Sequence, residues 1–143
     1  MKIGEILRTK GHEVITIPEA RSVLDAIGML VRHNIGALVV TERARPTGIF
    51  TERDVLRLAA RSPTALGTIQ VGGVMTREPI TVNPDDELHA VMDVMTERKI
   101  RHLPVMEDGE LVGIVSIGDL LNACRYVAEE ENSHLRQYIQ GGI

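Results

Sequence analysis

The stretch Gly48-Ile49-Phe50-Thr51-Glu52-Arg53-Asp54 returns sixty-five residues later as Gly113-Ile114-Val115-Ser116-Ile117-Gly118-Asp119. Both read Gly, two apolar residues, Thr or Ser, two residues, Asp. A short apolar strand delivers a hydroxyl to a helix start, and a carboxylate follows one turn later. Two interpretations fit such a segment. One is a helix cap, with Thr51 or Ser116 at the N-cap and the Asp returning the hydrogen bond. The other is a ligand site. A helix start offers free N–H groups and a positive dipole end to an anion, and a carboxylate beside it can accept both hydroxyls of a ribose. Two copies in one chain favour the ligand site.

The duplication extends outward without a gap. Residues 15–56 align with residues 80–121 at ten identical positions: Ile15, Thr16, Ile35, Leu38, Val40, Glu42, Gly48, Ile49, Asp54 and Leu56. Each copy reads strand, helix, strand, strand, helix. In the first, strands are expected at 14–17, 37–41 and 48–50 and helices at about 21–33 and 52–60. In the second, Ile80-Thr81-Val82 is a short β run, and Asn83-Pro84-Asp85-Asp86-Glu87 reads as a helix start with a cap, a first-turn proline and acids at the positive end of the dipole. Leu88, Val91, Met92 and Met95 then recur at helical spacing. Asp108-Gly109 between apolar runs marks a hairpin. The predicted fold is α/β (α+β), with two βαββα repeats over 12–61 and 79–125, a linker over 62–78, an N-terminal segment and a C-terminal helix over 126–143. Leu121, Cys124, Ala128, Leu135, Tyr138 and Ile139 could form one apolar stripe there, more than two repeats need, which points to packing on a partner subunit.

Composition narrows the function. The net charge is −4, with +3 in residues 1–70 and −7 in residues 71–143. A mildly acidic chain without a basic run is a poor nucleic-acid ligand, since phosphate neutralisation dominates that affinity. The aromatics are Phe50, Tyr126 and Tyr138 only, too few for a base-stacking platform, so an adenine would be held between aliphatic side chains and backbone. No apolar run approaches the roughly 18 residues of a membrane span. The N-terminus lacks the apolar core of a signal peptide, and a lone cysteine, Cys124, suits a reducing compartment; a cytoplasmic location is expected. His12, His33, His89, His102 and His134 share no metal-ligand spacing.

The residues resemble a tandem pair of CBS (cystathionine-β-synthase) domains over about 12–125. The resemblance lies in Ile15-Thr16-Ile17-Pro18 with Ile80-Thr81-Val82-Asn83-Pro84, in Ile35-Gly36-Ala37-Leu38-Val39-Val40 with Ile100-Arg101-His102-Leu103-Pro104-Val105, and in the two Gly-x-x-Thr/Ser-x-x-Asp motifs. The short chain is similar to stand-alone bacterial CBS-pair proteins and small organellar plant ones, which begin with a segment like Ile6–Gly11 and end with one like Leu135–Ile139. The resemblance implies two repeats about a pseudo-twofold axis and two clefts between them that take adenosine-bearing ligands: AMP, ADP, ATP, NAD or S-adenosylmethionine. It assigns Asp54 and Asp119 to ribose hydroxyls and Thr51 and Ser116 to ribose or phosphate. The backbone at Gly36-Ala37 and Arg101-His102 would line the adenine edge, each serving the cleft whose Asp comes from the other repeat. Thr16, Thr81 and Thr76 complete the ligand set, and Arg53, Arg101 and His102 are phosphate candidates. Two departures stand out. Val39 replaces the proline present at Pro104, and Gly118 replaces Arg53, leaving no arginine beside Asp119.

The expected function is a non-enzymatic regulatory module that senses an adenine nucleotide, has no catalytic cofactor, forms a homodimer and signals to a regulated protein. A structural dimeric adaptor with empty clefts and a weak nucleotide-processing enzyme are the alternatives.

Overall fold

A computed structural model describes residues 1–141 of the 143. The chain opens with α1 (Ile3–Lys10). The first repeat follows as β1 (Thr16–Pro18), α2 (Val23–His33), β2 (Ala37–Glu42), β3 (Arg45–Thr51) and α3 (Glu52–Arg61). After a 3₁₀ turn at Val71–Gly73 come β4 (Thr76–Arg77), α4 (Leu88–Arg98), β5 (His102–Glu107), β6 (Glu110–Ser116) and α5 (Ile117–Gly141). One sheet runs β1-β2-β3-β4, with β1 parallel to β2 and the rest antiparallel; the other is the antiparallel pair β5-β6. This is the expected mixed α/β architecture.

The duplication persists in backbone detail. Both hairpins shift register at matching points, Val40/Thr41 and Val105/Met106. Asn34 and Lys99, one sixty-five residues after the other, both end their helices in the left-handed conformation. The Glu52 N–H donates to the Gly36 carbonyl as the Ile117 N–H donates to that of Arg101.

One asymmetry has a covalent cause. In the first repeat the Val39 N–H donates to the Ile15 carbonyl, drawing β1 into the sheet. The counterparts are Pro104 and Ile80, and proline has no N–H to give. The expected strand 80–82 is therefore reduced to a bridge between Val82 and Val105, and the Ile80 carbonyl lacks that donor.

The start of α4 also differs from expectation. Its N-cap is Glu87, whose carboxylate accepts from the His89 and Ala90 N–H groups. Asn83–Asp86 instead closes a turn on itself: the Asp86 carboxylate accepts from the Asn83 N–H and the Asn83 side chain from the Asp85 N–H. That turn faces the N-terminus, since Ile3 and Gly4 donate to the Asp86 and Pro84 carbonyls and Leu88 donates to that of Met1.

Each lead-in segment completes the core of the other repeat. Ile3, Ile6 and Leu7 of α1 are buried with Leu88, Val91, Leu103, Val115 and Leu120 of the second repeat. Val71 and Met75, in the segment expected as a linker, are buried with Ile17, Val23, Leu30, Phe50 and Leu58 of the first. Fully burying such side chains stabilises by about 1.5–3 kcal/mol each. The motif glycines make room for this exchange. A Cβ on Gly113 would lie 2.7 Å from Leu7 Cδ2, and one on Gly48 2.5 Å from Met75 Sδ.

The last helix of the second repeat and the expected C-terminal helix are one element, α5, with no break near residue 126. No proline or glycine interrupts the sequence between Gly118 and Gly141, and Arg125 pairs with Glu129 one turn on. Of the expected helix over 126–143, Gly142 and Ile143 lie outside the described residues.

Candidate functional site

The first motif closes β3 on Thr51 and opens α3 on Glu52. Asp54 Oδ2 accepts from the Thr51 N–H at 2.9 Å and the Thr51 hydroxyl at 3.3 Å, so the cap exists. Its other oxygen, Oδ1, has Arg57 Nη1 at 3.9 Å. Asp54 is 9% exposed, the one buried charged residue among those described. One carboxylate oxygen holds the helix start, and the second retains its acceptor capacity.

Asp54 borders a cleft of about 410 Å³ between the repeats. The first repeat supplies Gly36, Ile49 and the motif side; the connection supplies Thr76 and Glu78; the second repeat supplies Pro79, Ile80 and Arg98 to Leu103. Five cations, Arg53, Arg57, Arg98, Lys99 and Arg101, face three carboxylates, Glu52, Asp54 and Glu78. The Arg53 guanidinium donates to the Lys99 carbonyl at 3.1 Å, tying α3 to the end of α4. His102 stands close to Gly36, where an added Cβ would lie 2.9 Å from its Nε2. Burial lowers the His102 pKa below the ordinary imidazole value; Lys10 and Arg101 act the same way, and Glu52 and Asp119 oppose them.

The second motif forms a reciprocal cap. The Ser116 N–H donates to Asp119 Oδ2 at 2.8 Å, and the Asp119 N–H to Ser116 Oγ at 3.1 Å. A cation is also present: Lys10 Nζ, from the end of α1, lies 2.5 Å from Asp119 Oδ2 and 2.7 Å from the Ile114 carbonyl. Burial pushes the Asp119 carboxyl up, but the Lys10 ammonium and the Ser116 donors outweigh it and hold it below the usual carboxylate range. A hollow of about 480 Å³ between α1 and α5 borders this pair.

Seven of the candidate residues, Gly36, Thr51, Arg53, Asp54, Thr76, Arg101 and His102, therefore share one cleft, and Gly36 and the Arg101-His102 pair meet across it. Ser116 and Asp119 lie at the other motif. Ala37 is buried in β2, opposite Thr51. Thr81 lines a shallower neighbouring hollow with Thr47 and Pro104. Thr16 is exposed on β1 and lines neither the Asp54 cleft nor the Asp119 hollow. Arg57, Arg98, Lys99 and Ile80 join the cleft beyond the expected set. The run Arg98-Lys99-Ile100-Arg101-His102 is the sequence signal that carries two of them, Arg98 and Lys99. Lys10 has no comparable signal, because only folding brings α1 to the second motif.

The CBS domain profile matches residues 3–61 and 71–126. A mitochondrial CBS domain-containing protein of Arabidopsis thaliana, CBSX3, is 37% identical over 98% of this chain and 72% of its own length. The crystal structure of a CBS-domain-containing protein from Agrobacterium tumefaciens has a TM-score of 0.84 at 36% identity, covering 86% of this chain and 98% of that one. A CBS domain pair in complex with 5′-methylthioadenosine and S-adenosyl-L-methionine has a TM-score of 0.76 at 26% identity, covering 86% and 94%. A hexameric CBS-CP12 protein from bloom-forming cyanobacteria has 0.78 at 25% identity, covering 99% and 85%. With the duplicated units and the cleft between them, these matches place the chain in the CBS domain family.

Proposed function

We propose that the protein is a non-enzymatic regulatory module that binds an adenosine-containing nucleotide, AMP, NAD or ATP, in the Asp54 cleft and passes its state of occupancy to a regulated protein. The observation that carries this reading is Asp54 itself: buried at a helix start, one oxygen capping, the other left for ribose hydroxyls, with cations of the second repeat opposite. Ile49, Pro79, Ile80 and Ile100 give the adenine aliphatic walls, and the backbone at Gly36 and Arg101-His102 lies at its edge. Arg57, Arg98, Lys99 and Arg101 suit phosphates, and the N-terminus of α3 adds its dipole. The related domain pair with two adenosine-bearing ligands supports the ligand class.

The protein acts as a homodimer in this reading. Leu56 on α3 and Leu121 on α5 occupy equivalent positions and are 71% and 53% exposed, and Leu24 and Val31 are exposed on α2. Helix faces carrying such residues suit a second copy.

Mass spectrometry of small molecules released on denaturation tests the ligand class, and thermal shift tests binding. A nucleotide at 100 times its dissociation constant adds about 2.7 kcal/mol, several degrees for a chain of this size. AMP, NAD or ATP should raise Tm while ribose 5-phosphate does not. No released nucleotide and no shift at millimolar concentration would favour the empty adaptor; turnover of bound nucleotide would favour the enzyme.

A further inference from the structure

We propose that the ligand position at the second motif is closed by the chain itself: the Lys10 ammonium neutralises and covers Asp119 where a ribose would approach, so nucleotide binds at Asp54 alone until Lys10 is displaced. The inference rests on the function proposed for the Asp54 cleft.

The two motifs differ in what meets the aspartate. At Asp54 the nearest cation is Arg57, 3.9 Å from Oδ1. At Asp119, Lys10 Nζ is 2.5 Å from Oδ2 and also donates to the Ile114 carbonyl on the strand leading into the motif. The pair is largely covered, with Lys10 29% and Asp119 22% exposed. An ammonium on Oδ2, the oxygen that also caps α5, neutralises the carboxylate that ribose hydroxyls need as acceptor.

The segments that reach the two motifs differ in charge and in conformation. Leu7 packs on Gly113 as Met75 packs on Gly48. Three residues beyond Met75 is Glu78, which lines the Asp54 cleft; three beyond Leu7 is Lys10. Lys10 ends helix α1 one turn beyond Leu7, whereas Glu78 follows the extended β4; the helix brings a cation to one aspartate, and the strand brings an acid to the cleft of the other. The phosphate side changes in parallel: Gly118 and Asn122 stand where the first repeat has Arg53 and Arg57. Lys10 can leave without unfolding α1, because Ile3, Ile6 and Leu7 anchor that helix in the core independently. An anionic nucleotide arriving there must compete with Lys10 for Asp119, which sets the second site at higher concentration than the first.

Calorimetric titration with AMP tests this on the parent, Lys10→Met, Lys10→Gln and Lys10→Met/Asp119→Ala, each checked by thermal melting. The parent should bind one AMP per chain. Either Lys10 variant should gain a second site at least tenfold tighter than any second site of the parent, and the double variant should lose it. Two equal sites in the parent, or folded Lys10 variants that still bind one AMP, overturn the inference while leaving the Asp54 reading intact. A parent that binds none while the Lys10 variants bind one supports self-occupancy and refutes the Asp54 reading. No binding to any variant overturns both.

Discussion

Asp54 caps α3 with Oδ2 and offers Oδ1 to the cleft, so its replacement separates two effects. A hydrogen bond to a charged group contributes about 1.5–3 kcal/mol, roughly 10- to 150-fold in affinity. Asp54→Ala should weaken nucleotide binding by that factor in a titration, while a lost cap costs about 1 kcal/mol of stability and leaves the chain folded. His102 makes a pH prediction. Its folded pKa lies below the unfolded value of 6.5 because burial disfavours the imidazolium. Between the two values the unfolded chain binds more protons, so stability is full above about pH 6.5, falls as pH drops through that value and levels off below the folded pKa. Melting from pH 8 to pH 5 should show this decline, and His102→Gln should flatten it. The aspartates, Thr51 and Ser116 are legible because duplication marks them twice, whereas the Gly36 and Arg101-His102 segments rest on the CBS resemblance. Lys10 is not legible, because a contact across 109 residues leaves no periodicity. Thr16 is identical to Thr81 across the duplication and is exposed on β1.

The elements followed from period and punctuation wherever local chemistry was decisive. The second β run shrinks to a bridge because its partner is Pro104: the apolar pattern is present, but the ladder donor is missing. The helix starts at Glu87 rather than Asn83, because an Asn-Pro-Asp-Asp turn carries the same residues as a cap. The linker acquired structure because Val71 and Met75 fill the first core, a tertiary effect that Gly72-Gly73 conceals. The two hairpins carry a further prediction. Both have two-residue loops with positive φ at both positions, Asp108-Gly109 and Arg43-Ala44. Asp-Gly suits that turn, but Ala44 at φ 64° bears a steric cost that glycine avoids. Allowing for the entropy glycine adds to the unfolded chain, Ala44→Gly should stabilise by about 0.5–1 kcal/mol, raising Tm by a few degrees in a thermal melt.

At the scale of the whole molecule, exchange of lead-in segments makes each repeat depend on the other, and the cleft forms where they meet. Neither repeat is a complete unit, so unfolding should be one cooperative transition in calorimetry. The exposed residues on α2, α3 and α5 lead to the assembly prediction: light scattering should give at least twice the 15.7 kDa chain mass at micromolar concentration, and charged replacements at Leu56 and Leu121 should lower it. A strict monomer would refute the dimer. The central claim, that the Asp54 cleft holds an adenosine nucleotide, is tested most directly by equilibrium dialysis of labelled AMP, NAD and ATP against the parent and Asp54→Ala. The account predicts saturable binding of at least one of the three by the parent, weakened about 10- to 150-fold in the folded variant. Equal binding by both proteins, or binding by neither, would contradict it.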